Sequence, residues 1–132
     1  MQVLLNGLYN KFLSSTGAGT LYTLLGGRLH PNEAPQESAY PYGVYYLISD
    51  VPSWTFDKDF EEYLIQFNLF DDDSSSADVN TAESSLTTLY DWTTLTSSGY
   101  TNVYMKREFS NLTREEDVWN YMTQYRVFME KN

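Results

Sequence analysis

The chain of 132 residues has no cysteine, one histidine, few basic residues and four prolines, of which Pro31, Pro35 and Pro41 stand close together. Without cysteine there are no disulfides, no Cys-based zinc sites and no thiol catalysis. The lone histidine, His30, would have to serve any Ser-His-Asp triad, yet no G-x-S-x-G elbow accompanies it. Beside Pro31 it reads as a residue of a loop surface. Eight Lys and Arg against eighteen Asp and Glu give a net charge of −10. That balance argues against gripping nucleic acid through its phosphates and against anionic membrane surfaces. It leaves room for a protein that surrounds DNA without holding it. Met1 runs into Gln-Val-Leu-Leu-Asn-Gly with no basic leader and no long apolar stretch. The expectation is neither a secretory signal nor a membrane span, but a soluble product made in a cytoplasm. Gly17-Ala18-Gly19 and Gly26-Gly27 do not follow a strand and open a helix, so they read as turns rather than phosphate cradles. The length suggests a single domain over 1–132.

What is present is a chain organised around Gly26 to Ser49. Gly26-Gly27 closes the helical start, and three prolines rule out regular structure as far as Pro41. Val44-Tyr45-Tyr46-Leu47-Ile48 then has the β-branched and aromatic character of a strand. Before this stretch, Leu4, Leu5, Leu8, Phe12 and Leu13 recur at helical spacing over Gln2 to Ser14. Thr20 to Leu25 can add a turn or two, and Arg28-Leu29-His30 a short extended piece. After it, Asp50 to Lys58, with Pro52, reads as a mobile connection. Phe60 to Asp71 is the clearest strand, because Tyr63, Ile65, Phe67 and Leu69 alternate with a mixed set. Val79, Ala82, Leu86, Leu89 and Thr93 predict a second helix over 77–95, with Ser75 and Asp78 in capping-box form. Thr96-Ser97-Ser98-Gly99 would end it. Val103, Met105, Arg107 and Phe109 form one strand face, Ser110 to Asp117 a linker, and Trp119 to Met129 a last alternating strand. The class is α+β: an antiparallel sheet of four to five strands, two main helices on one face, and a long Pro-rich loop after the first helix. The strands flanking the second helix are expected to pair across it.

Chemistry-bearing clusters are few. Asp71-Asp72-Asp73 with Asp78 offers carboxylates to Ca²⁺ or Mg²⁺. The EF-hand pattern fails, since its sixth and twelfth places hold Ser76 and Ala82, and a solvated turn before a helix explains the acids as well. Glu61-Glu62 and Glu115-Glu116-Asp117, placed at strand edges, could pair as acid and base, or simply discourage edge pairing. No catalytic, metal or cofactor site is assigned. Twelve Tyr and three Trp exceed what a small core needs. Some of them should be exposed and suited to protein contact.

Leu8-Tyr9-Asn10-Lys11-Phe12-Leu13, then Leu24-Leu25-Gly26-Gly27-Arg28-Leu29, Glu33-Ala34-Pro35-Gln36 and Tyr40-Pro41-Tyr42-Gly43-Val44-Tyr45 follow one another in an order and spacing that resembles the tail completion, or head–tail joining, proteins of long-tailed bacteriophages and prophages. The resemblance implies a non-enzymatic virion part similar to tail terminators, without cofactor. It further implies a homo-oligomer, commonly a hexameric ring, at the head-proximal end of the tail. There it would contact the tail-tube and head-completion proteins, touch no membrane, and leave DNA a passage without specific binding. The Pro-rich segment, stiffened before assembly, is then expected to be an arm onto a neighbour. Its expected contact residues are Arg28, His30, Pro31, Glu33, Pro35, Tyr40 and Tyr42, with Trp54 beyond it. Other readings are a monomeric binding module using exposed aromatics, and a metal-dependent enzyme built on Asp71 to Asp78.

Overall fold

Alternation in one strand dictates the layering. Tyr63, Ile65, Phe67 and Leu69 point to the same side and are all buried, so that side must be covered. In the computed structural model, residues 2–54, 59–95 and 99–131 are described. Their elements are α1 (Gln2–Ser14), α2 (Leu21–Leu24), β1 (Leu29–Pro31), β2 (Tyr42–Trp54), β3 (Asp59–Asp71), α3 (Ala77–Tyr90), β4 (Tyr100–Glu115) and β5 (Val118–Lys131). Thr55 to Lys58 and Thr96 to Ser98, where the sequence placed parts of a connection and a helix stop, lie outside the described residues. The five strands form one sheet in the order β1-β2-β3-β5-β4.

The α+β class and the covering of one sheet face by helices hold. Leu4, Leu8 and Phe12 of α1 join Val79, Ala82 and Leu86 of α3 in one core with Tyr45, Phe67, Tyr125 and Val127 of the sheet. Phe67 sits at its centre, stacked between Tyr45 and Tyr90 at centroid distances of 5.8 and 4.9 Å and edge-on to Tyr125 at 5.9 Å. Buried tyrosines fix the helices to the sheet, because each hydroxyl must find an acceptor. Tyr90 donates to Leu8 O at 2.8 Å and Tyr45 to Leu5 O at 3.4 Å. Burial pushes the Tyr45 hydroxyl up to about 12 and the Tyr90 hydroxyl higher still. Among the described residues no helix is long and apolar enough to cross a membrane.

Several boundaries differ from the sequence reading, each for a tertiary reason. Asp50 to Trp54 continue β2 instead of forming a connection, since each pairs with β3, Pro52 opposite Glu61. Ser110 to Glu115 belong to β4 and not to a linker. The strands flanking α3 do not pair with each other: β5 lies between β3 and β4. β1 adds parallel to β2 while the remaining pairs are antiparallel. Helix α3 stops at Tyr90, because Trp92 adopts φ 56° and its N–H donates to Met105 O at 2.9 Å, which turns the chain along β4. The predicted capping box is replaced. Ser76 takes the cap position without a side-chain bond to the helix N–H groups, its Oγ accepting instead from Asn80 Nδ2 at 3.2 Å, and Ser75 Oγ accepts from the Ala77 N–H at 3.1 Å.

A polar chain ties α3 to the sheet beneath it. The Tyr125 hydroxyl donates to Asp91 Oδ1 at 2.6 Å, and Arg107 lies 3.3 Å from Asp91 and 3.7 Å from Glu83. Glu83 is buried, and desolvation pushes its carboxyl up while Arg107 pulls it back. Arg107→Ala is expected to cost about 1 kcal/mol at pH 7, modest because the arginine is 42% exposed and screened by solvent. The sign with pH follows. A carboxyl with a raised folded value destabilises above that value and is relieved as pH falls towards the ordinary 4.5. The variant's deficit in thermal melts should therefore shrink between pH 7 and pH 5.

Candidate interaction surface

The sheet has a second face, and no helix covers it among the described residues. Register places Tyr42, Val44 and Tyr46 of β2, Phe70, Asn68 and Gln66 of β3, and Asn120, Met122 and Gln124 of β5 side by side on it. Its middle is a belt of amides. Gln66 Nε2 donates to Tyr46 Oη at 2.6 Å and to Asn68 Oδ1 at 2.8 Å, and Gln124 Nε2 donates to Gln66 Oε1 at 2.9 Å. Further along, Arg126 donates through Nε and Nη2 to both oxygens of Glu108, at 2.7 and 3.0 Å, and lies 3.2 Å from Glu62. That hydrogen bonding holds the Glu108 carboxyl below its ordinary value and the Arg126 guanidinium above its own.

Aromatics stand at both ends of the belt. At one end the Tyr40, Tyr42 and Phe70 rings follow one another at 5.3 and 5.1 Å. At the other, Trp92, Tyr104 and Phe128 stack nearly parallel at 6.4 and 5.0 Å. Trp92 is 65% exposed and held at positive φ, a conformation that costs a non-glycine residue on the order of 1 kcal/mol or more. Phe109, half exposed, lies on the same face opposite Gln124. The Tyr and Trp surplus in the sequence pointed to exposed aromatics. Phe109 and Phe128 were missed: the alternation of β4 puts Phe109 with Met105, and a register shift between Arg107 and Phe109 turns it to the other side.

The Pro-rich segment is anchored at its two ends. Asn32 N–H donates to Tyr45 O and Gly43 N–H to Arg28 O, both at 2.8 Å. Arg28 closes the loop, donating from Nε to Pro41 O at 3.1 Å and from Nη2 to Tyr40 O at 3.3 Å. Glycine suits position 26 beside it. Its φ is +59°, and a Cβ there would meet Arg28 Nη1 at 2.7 Å. Between the anchors Pro31, Glu33, Pro35, Gln36, Glu37 and Tyr40 are exposed. With Tyr42, Tyr46, Asn68 and Phe70 the segment frames an open groove of about 590 Å³ on the uncovered face.

The expected contact residues therefore separate. Arg28, Pro31, Glu33, Pro35, Tyr40 and Tyr42 cluster at one end of the sheet. His30 belongs to β1, not to a loop surface. It is half-buried, its Nε2 has no partner, and burial and then Arg28 hold its pKa down. Trp54 closes β2 opposite Asp59, twelve residues beyond Tyr42, roughly 40 Å away along an extended strand. It cannot share a patch with the arm, and its side chain lies outside what is described.

The acidic clusters also sort themselves. Glu61 and Glu62 lie in the central strand β3 and not at an edge; Glu61 accepts a bond from the Tyr63 hydroxyl. Glu115 to Asp117 form the β4–β5 turn at the other end of the sheet, so no acid–base pair forms between these runs. Asp71, Asp73 and Asp78 do come together, with carboxylate oxygens within 4.8 Å of one another.

No family model matches the chain, and no curated protein does. A solved structure has its fold. It is a chain from the "Virion of native gene transfer agent (GTA) particle", with a TM-score of 0.71 at 15% identity, covering 96% of both chains. At that identity the likeness is one of architecture, and it extends from one end of the chain to the other.

Proposed function

We propose that this protein is a structural, non-enzymatic virion component, a tail-terminator-like subunit that forms a ring at the junction of head and tail. One observation carries the reading: the end-to-end fold likeness to a chain of a gene transfer agent virion. The order of short motifs between Leu8 and Tyr46 supports the narrower assignment to tail completion. In this account the exposed arm from Pro31 to Tyr40 reaches a neighbouring subunit or tail protein, and Arg28 presets its shape, which lowers the ordering cost of contact. The outer edge of β4 beyond Arg107 has no strand partner among the described residues and offers a second contact, as head-to-tail ring packing needs two different surfaces. The net charge of −10 suits a passage through which DNA slides without sticking. The Trp92, Tyr104 and Phe128 stack favours a second reading, a monomeric binding module that docks one partner on its aromatics. Imaging the assembled particle separates the two: the first requires a ring at the head-proximal tail end, the second a protein absent from it.

A further inference from the structure

The β3–α3 turn gathers two exposed acids around a carboxylate whose burial no partner among the described residues offsets. Asp71 is 4% exposed. It accepts backbone hydrogen bonds from Asp72 and Asp73, yet its Oδ2 is buried and without a partner. A buried carboxylate oxygen left in that state costs on the order of kilocalories. The acids that share its surroundings, Asp73 and Asp78, are exposed and add repulsion. Arg114, which reaches this turn, does not relieve it. Arg114 donates to the main-chain oxygens of Asp73 and Ser74, both at 3.2 Å, and its ion pair goes to Asp117 at 3.9 Å. No ion pair to Asp71, Asp73 or Asp78 occurs among the described residues. The start of α3 brings positive dipole charge to Asp78 in its first turn, but the N–H groups that reach Asp71 are not helical ones.

We propose that Asp71, Asp73 and Asp78 bind a hard divalent cation of the Ca²⁺ or Mg²⁺ class, with Asp71 Oδ2 as its buried ligand. An all-carboxylate set selects such ions over the softer transition metals. The exposed side of the cluster leaves room for water to complete the coordination. The ion would pin the turn beside Trp119, whose Nε1 donates to Asp73 O at 3.0 Å, and so fasten the end of the sheet from which the arm leaves. This site stands apart from the ring assignment, and its test uses the isolated protein.

The probe is CaCl₂, then MgCl₂, added to EDTA-treated full-length protein and followed by calorimetry and thermal melting. Three carboxylates imply a dissociation constant on the order of 10⁻⁴ M. Saturating Ca²⁺ should then raise Tm by roughly 5–10 °C. Asp71→Asn should weaken binding at least tenfold and yet melt no lower than the wild type in EDTA, since it removes an unpartnered buried charge. Asp78→Asn, an exposed change that leaves the core alone, should weaken binding as well, whereas Asp117→Asn should not. No binding of either ion at 10 mM, or binding that survives Asp71→Asn and Asp78→Asn unchanged, would overturn the proposal.

Discussion

Replacing Phe67 with alanine is expected to remove about 4 kcal/mol of stability, the largest loss of any single truncation in the sheet. The ring is fully buried and touches three others, those of Tyr45, Tyr90 and Tyr125. Truncation forfeits its transfer energy, leaves a void, and breaks aromatic pairs that contribute about 1 kcal/mol each. Tyr90 and Tyr45 are also the residues that hydrogen-bond α1, so loosening their packing loosens the attachment of the helix layer. A domain of this size has about 5–15 kcal/mol in total, so the variant would be left marginal. Phe109→Ala should cost less than about 0.5 kcal/mol, because that ring faces outward. Urea titration of the two variants checks both values. A shared midpoint would mean that the register shift which separates their faces is absent.

The second large effect concerns the arm. Arg28→Ala removes the two bonds that close the loop onto Pro41 and Tyr40. Their net worth in the folded chain is small, about 1 kcal/mol each, and the sheet does not depend on them. If the loop is the contacting arm, the cost appears on assembly, where a loop no longer preset must be ordered at every subunit boundary. Each 1.4 kcal/mol so lost is tenfold in affinity, and a closed ring repeats the loss around its circumference. Supplying the variant to particles that lack the wild-type protein should therefore yield at least tenfold fewer joined heads and tails, while its circular dichroism stays that of the wild type. Unchanged particle yield would remove the arm from the assembly interface.

How much of this was legible in the residues depends on the kind of signal. Helices α1 and α3 and strands β3 and β5 announce themselves through period, because one face of each is buried over most of its length. The limits of β2 and β4 do not. Pro52 and the polar run Ser110 to Arg114 look like breaks, yet a partner strand on one side is enough to keep both segments extended. Phe109 could not be placed by alternation, since a single extra residue reverses a face. The end of α3 is set by a hydrogen bond from Trp92 to Met105 that no local pattern foretells. The Asp71 cluster is half legible. The run of acids is plain in the sequence, but only the fold shows that Asp71 turns inward while Asp72 stays in solvent. The separation of Trp54 from the arm likewise follows from the unbroken length of β2, which the sequence reading had cut at Ser49.

The most direct measurement is cryo-electron microscopy of the head–tail junction in particles purified from cells that make this protein. The account predicts a closed ring of this fold at the head-proximal end of the tail tube, each arm from Pro31 to Tyr40 lying on a neighbouring chain and the channel open to DNA. Purified particles without the protein, or a ring whose arms fold back wholly onto their own sheets, would contradict it.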